Sequence, residues 1–206
     1  MLPSVAGARD GALVSRWRLP AAAVVLFIAT QAAAFEPDQH YRIDPAHSIP
    51  QFEFTHLGLT TQTGRFDKAG GSVVLNLAKH SGSVSYEVET NSLNMGFGTE
   101  SEDSPGYQLF RVKTFPKITF RSNELVFDQD GEVIAAKGRL TMLGLSRPLT
   151  VNVHSFKCSV HPVLKKEVCA GEISAIIQRS QFGMVKFIPG ISDRIVVTIP
   201  IEAYKD

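Results

Sequence analysis

The chain has 206 residues, 21 of them Lys or Arg and 20 Asp or Glu, so it is near-neutral and lacks the basic footprint that nucleic-acid binding requires. Charges of both signs are interspersed. No apolar run reaches the roughly 20 residues a helix needs to span a bilayer.

The first 34 residues differ from the rest. Arg9, Arg16 and Arg18 give a basic start, LPAAAVVLFIA follows at 19–29, and small residues Ala32 and Ala34 close the segment. That order is the secretory leader layout, with cleavage expected after Ala34 and a mature domain over 35–206. Losing three of the 21 basic residues and Asp10 takes the net charge from +1 to about −1. Such a protein would work in the periplasm or outside the cell. A mature chain of this length fits one domain and can bury a substantial core.

Next comes DPAHS at 44–48, a turn-like context in which His47 is expected to hydrogen-bond locally. QFEFTH at 51–56 alternates, placing Phe52, Phe54 and His56 on one face. The two histidines are nine positions apart, about 30 Å along an extended strand, too far to share one metal. Period-two alternation continues almost everywhere. Val73, Leu75 and Leu77 form one face, as do Val84, Tyr86 and Val88, then Ile118 with Phe120. Leu149, Val151 and Val153 form another, followed by Ile173, Ala175 and Ile177, and then Ile195, Val197, Ile199 and Ile201. Half-buried antiparallel strands read this way. Turn signals lie at AGG (69–71), HSG (80–82), DQDG (128–131) and LGLSRP (143–148). One short helix is expected near 104–112, with Pro105 in its first turn, Glu102 and Asp103 at its positive end and Pro116 helping to stop it.

Cys158 and Cys169 flank a turn-like HPVLKKE between two strand-like runs. In an oxidising compartment two cysteines so placed are expected to form a disulfide across one hairpin.

About eight strands with almost no helix imply an all-β protein, a sandwich or a closed barrel. An eight-stranded barrel is either filled by its own side chains or holds one small ligand. The phenylalanines fit both alternatives, a packed core or an aromatic-lined pocket. There is no GxSxG, HExxH or P-loop, and GFGTES lacks the third glycine of a dinucleotide loop. No catalytic or metal site is assigned. An enzyme acting through His56 or His154 would need a nucleophile or metal beside one of them.

Taken in order, several fragments resemble the YceI-like, polyisoprenoid-binding family. These are YRIDPAHS (41–48), FEFTHLGLTTQTGRF (52–66), LFRVKTFPKITFRS (109–122), GRLTMLGLSRPLTVNV (138–153), CSVHPVLKKEVCAGEISAIIQRSQFGM (158–184) and SDRIVVTIPIEA (192–203). The resemblance covers the mature chain. It implies a lipocalin-like antiparallel β-barrel with an elongated apolar cavity, a long isoprenoid lipid (quinone or polyprenyl type) as ligand, and no cofactor. By position it assigns Phe52, Phe54, Phe66, Phe110, Phe115, Phe120 and Phe182 to the cavity, with His56 as a polar group near one end. TESEDSPGYQLF departs from the basic, histidine-containing form common in the family, which puts the head-group preference in question. The competing class is a secreted interaction module with a filled barrel. A homodimer is compatible with either.

Overall fold

The structure is a computed structural model that describes residues 37–96 and 103–206. The expected leader and Glu102 lie outside the described residues. Eleven strands, one α-helix and two short 3-10 helices (Thr90–Ser92 and Arg179–Phe182) make up the described part: β1 (Gln39–Ile43), β2 (Gln51–His56), β3 (Thr60–Phe66), β4 (Ala69–Asn76), β5 (Ser81–Glu89), β6 (Leu93–Asn94), α1 (Pro105–Phe110), β7 (Lys117–Phe127), β8 (Val133–Met142), β9 (Leu145–Val160), β10 (Glu167–Gln178) and β11 (Arg194–Lys205).

Every strand pairing is antiparallel, in the order β1-β4-β5-β7-β8-β9-β10-β11, and β11 returns to β1. The result is a closed eight-stranded barrel. The other three strands, β2, β3 and β6, extend the sheet from β11. β11 is therefore shared. Val196–Thr198 pair with β2, whereas Ala203–Lys205 pair with β1. Where the chain crosses between β1 and β2, the fully buried Ser48 fills the gap, its hydroxyl accepting from Glu202 N at 3.1 Å.

The alternating sequence dictates which face points inward. Val84, Tyr86, Val88, Leu149, Val151, Val153, then Ile173, Ala175 and Ile177 of β10 and Ile195, Val197, Ile199 and Ile201 of β11 face the barrel axis. Their neighbours face out and carry the polar pairs, such as Lys117 to Glu87 at 2.8 Å and Lys137 to Glu124 at 2.7 Å. A polar outside and an apolar inside are the reverse of a barrel that faces lipid. No helix among the described residues is long and apolar enough to cross a membrane.

Three expectations change in detail. AGG at 69–71 is not a turn but the start of β4. A Cβ at Gly71 would lie 1.9 Å from the Ser85 carbonyl, so glycine there lets two backbones approach. β4 ends at Asn76, which leaves Leu77 in the turn and 43% exposed, apart from Val73 and Leu75. The helix is shorter than expected. Ser104 caps it, its side chain accepting from Tyr107 N, Pro105 opens it, and Arg111 in the left-handed conformation ends it before Pro116 is reached.

The two ends of the barrel differ. At the far end, just inside the β4–β5, β7–β8 and β9–β10 turns, Tyr41, Leu75, Val133, Cys169 and Ala203 are all buried and form a plug. The disulfide Cys158–Cys169 joins directly opposed residues of β9 and β10 there, with Cα atoms 4.0 Å apart. At the near end lie α1, the β2–β3 hairpin and the segment between β10 and β11.

Candidate functional site

Above the far-end plug the barrel is hollow. A cavity of about 580 Å³ runs from Ile43, Leu125 and Ala136 up to α1. That volume lies within the range of small-ligand pockets. Its wall is almost entirely hydrocarbon, from Val151, Val153, Ile173, Ile177, Val197 and Ile199 on β9–β11 to Phe52, Phe54, Phe66, Phe110 and Phe120. The cavity reaches the surface at the near end, where Gln51 and Pro105, both exposed, belong to its lining.

The aromatic rings are held by their neighbours. Phe52 stacks on Phe54 with centroids 6.4 Å apart and tilts against Phe66 at 5.6 Å. Phe66 meets Phe110 edge to face at 5.3 Å, which ties α1 to the wall. Phe52 lies over Gly64 on the facing strand, where a Cβ would come within 2.5 Å of the ring. Phe120 lies over Gly138 in the same way, at 2.8 Å. Glycine on the adjacent strand thus gives each ring its room.

Five of the expected residues, Phe52, Phe54, Phe66, Phe110 and Phe120, come together on this wall. Three do not. His56 is exposed at the tip end of β2, where the hairpin has passed beyond the barrel and bridges to Ile191. Phe115 lies in the connector after α1, under the Arg111 guanidinium at 4.8 Å and beside Gly144. Phe182 is buried behind the wall in a separate crevice with Pro148, Ile176 and Gln178. Their placement follows from where the strands end, which side-chain type does not reveal.

Polar groups at the cavity are few. Tyr86 donates to the Ser48 carbonyl at 2.6 Å, and burial pushes its phenol well above the ordinary range. Arg179, 3% exposed, lines the near end. Its guanidinium donates to four carbonyls of the following segment: Ser192 at 2.9 Å, Met184 at 2.6 Å, Lys186 at 3.0 Å and Ile191 at 2.9 Å. Burial holds its pKa below the usual arginine value, with Asp193 opposing. Among the described residues no buried side-chain N or O lacks a hydrogen-bond partner. The wall therefore has no unmet polar demand, and an apolar occupant fits it best.

Two constellations outside the cavity carry titratable groups. His47 Nδ1 bonds Asp44 Oδ2 at 2.5 Å and lies 3.8 Å from Glu202. The bond to Asp44, with the charge of Glu202, raises the imidazole pKa, and the same bond lowers that of Asp44. These three could converge on a cation. As placed they form an ion pair that pins the turn after β1 onto β11. His154 Nε2 lies 2.8 Å from Ser174 Oγ, so a hydroxyl does stand beside this histidine. The pair is on the outward face of β9 and β10, outside the cavity, and among the described residues no carboxylate hydrogen-bonds the other ring nitrogen. It lacks the third member that activates such a dyad.

Sequence alone assigns neither Arg179 nor the aliphatic wall of β9–β11 to the site. The alternation of β9–β11 carried the signal for the wall. Nothing local marked Arg179, because an arginine after a strand is ordinarily solvated.

Comparison with known proteins agrees with this architecture. A UPF0312 protein of Enterobacter sp. (strain 638) is 28% identical over 137 residues, 65% of this chain and 69% of that protein. A UPF0312 protein of Shewanella sp. (strain W3-18-1) is 25% identical over 139 residues, 67% of this chain and 72% of that protein. The crystal structure of Burkholderia cenocepacia BcnA superposes with a TM-score of 0.59 at 20% identity, over 78% of this chain and 98% of that one. A polyisoprenoid binding domain from Saccharophagus degradans, implicated in plant cell wall breakdown, gives 0.56 at 15% identity, over 81% and 98%. These structures share the fold. Residues 41–203 match the YceI-like domain, and the chain belongs to that family.

Proposed function

We propose that this protein binds a long isoprenoid lipid, of quinone or polyprenyl type, in the barrel cavity and carries or sequesters it across an aqueous compartment after export through the leader at 1–34. The observation that carries the reading is the hollow interior. About 580 Å³ of space has a hydrocarbon wall, lies above the buried residues of the far end and reaches exposed residues at the near end. A solid interior would have favoured a surface-binding module. Burial of each CH2-sized piece contributes about 0.8 kcal/mol, so a few isoprene units supply roughly 10 kcal/mol before ordering costs. Such a site selects for length and branching more than for head-group chemistry. The Saccharophagus domain, described as polyisoprenoid binding, supports the ligand class, and the disulfide suits an oxidising compartment. Binding without catalysis is the role assigned.

The test is native mass spectrometry of protein recovered from its exported fraction, with organic extraction of any adduct. A prenyl lipid at one copy per chain is the expected result. Protein that carries no adduct and takes up no added prenyl alcohol or quinone would overturn the reading.

A further inference from the structure

Two loops at the near end hold large apolar side chains out of the fold. In the β2–β3 turn Leu57 is 62% and Leu59 83% exposed. In the segment between β10 and β11 Val185 is 61%, Phe187 46% and Ile188 38% exposed. The loops form one surface, because Leu57 N donates to the Gly190 carbonyl at 2.6 Å and Ser192 N to Thr55 at 2.9 Å. Leu57 and Phe187 have φ of 54° and 68°, left-handed backbone where glycine or asparagine sits at less cost. The chain thus keeps bulky apolar groups facing water at two positions that ordinary turn chemistry would assign to other residues.

This surface borders the cavity mouth. Phe54, three residues before Leu57, and Ile191, three after Ile188, both line the cavity. The two loops, 57–59 and 185–190, contain no acidic residue, and Lys186 holds its ammonium 4.8 Å from the Phe187 ring centre. An apolar patch with a cation at its edge suits a surface that is hydrocarbon below and anionic above.

We infer that the loops 57–59 and 185–190 dock the open end of the barrel onto a bilayer bearing anionic phospholipid, so that the lipid passes between membrane and cavity without crossing water. The inference rests on the isoprenoid reading above for its purpose, but not for its test. An apolar ligand that resides in a bilayer must leave it at the mouth, and the mouth is where the apolar loops are. Lys186 supplies the preference for negative headgroups, and the aliphatic and aromatic tips supply the insertion.

The test is flotation of the protein, recovered from its exported fraction, with vesicles of phosphatidylcholine alone and with phosphatidylglycerol added. The variant Leu57→Asn/Leu59→Ser/Phe187→Asn removes exposed apolar area and places asparagine where φ is positive, so the fold should persist by thermal melting. It should reduce partition to mixed vesicles at least about tenfold. Lys186→Glu should reduce the preference for phosphatidylglycerol by about fivefold. As a control, Val163→Ser/Leu164→Ser alters an equally exposed apolar tip at the far end and should change partition less than about twofold. Wild type that ignores mixed vesicles overturns the inference, and so does an equal loss in the far-end control. A patch variant that turns a dimer into a monomer, with no vesicle binding by wild type, assigns the surface to a second copy instead. Uptake of a detergent-dispersed prenyl alcohol, measured separately, reports on the ligand reading. Vesicle binding without uptake sustains the docking inference and removes the isoprenoid assignment. Uptake without vesicle binding does the reverse.

Discussion

Arg179→Lys gives the sharpest test of how the near end is held. The guanidinium spans four carbonyls, those of Met184, Lys186, Ile191 and Ser192, which lie along nine residues of chain. Its planar fork presents donors in several directions at once. A lysine ammonium has three donors on one atom and can reach one or two of these acceptors at most. Each hydrogen bond to a charged group contributes about 1.5–3 kcal/mol net, so losing two should cost about 3–6 kcal/mol. Residues 185–189 are exposed, and water will re-satisfy part of the loss, which places the expected value near the lower bound. Denaturant unfolding should read about 3 kcal/mol, or a fall in melting temperature of roughly 6–12 °C. Hydrogen exchange should locate the effect in the amides of Met184, which donates to the Arg179 carbonyl, of Ile188 and Ile191, which donate within this segment, and of Ser192, which donates to β2. An Arg179→Lys protein within about 0.5 kcal/mol of wild type, with exchange in 184–192 unchanged, would refute the claim that this side chain organises the rim.

Ala175→Phe puts a ring into the void from β10, so stability should fall by no more than about 1–3 kcal/mol while co-purifying lipid disappears, and a stable variant with full lipid content would place that ring elsewhere. Replacing both cysteines by alanine should lower stability by about 3 kcal/mol, from closing a loop whose ends are 11 residues apart, and leave lipid uptake intact because the bridge is in the far-end plug. The His47–Asp44 bond has a defined pH window. The raised histidine contributes fully below its unfolded value of 6.5 and stops contributing as pH rises through its higher folded value. The lowered aspartate contributes fully above 3.8 and stops as pH falls through its lower folded value. The pairing is therefore complete between those limits, and an NMR titration should find His47 above 6.5 in wild type and closer to it in Asp44→Asn.

How far the site could be read from residues depended on whether the signal was local. Alternation sorted Val151, Val153, Ile173, Ile177, Val197 and Ile199 onto one face because a strand offers only two faces. Their use as a cavity wall could not be read, since a filled barrel demands the same pattern. Phenylalanine marked the wall at Phe52, Phe54 and Phe66 on β2 and β3, at Phe110 on α1 and at Phe120 on β7, and misled at Phe115 and Phe182, which lie in the segments just before β7 and just after β10. His56 shares the alternation of Phe52 and Phe54, yet the hairpin carries it past the barrel, and strand length relative to barrel height is not a local property. Arg179 is the largest omission, because its partners are backbone carbonyls that carry no sequence signature.

The closing seam has a consequence for the order of events in the protein's life. Tyr41 pairs with Lys205 and Ile43 with Ala203, so strands from opposite extremes of the domain must meet before the barrel exists. Until β11 is available, β10 has no partner on one side, β1 and β2 have none on theirs, and the apolar interior is the face of an open sheet. The fold in effect times its own completion: without β11 the sheet stays open, and the addition of β11 joins β10, β1 and β2 in one step.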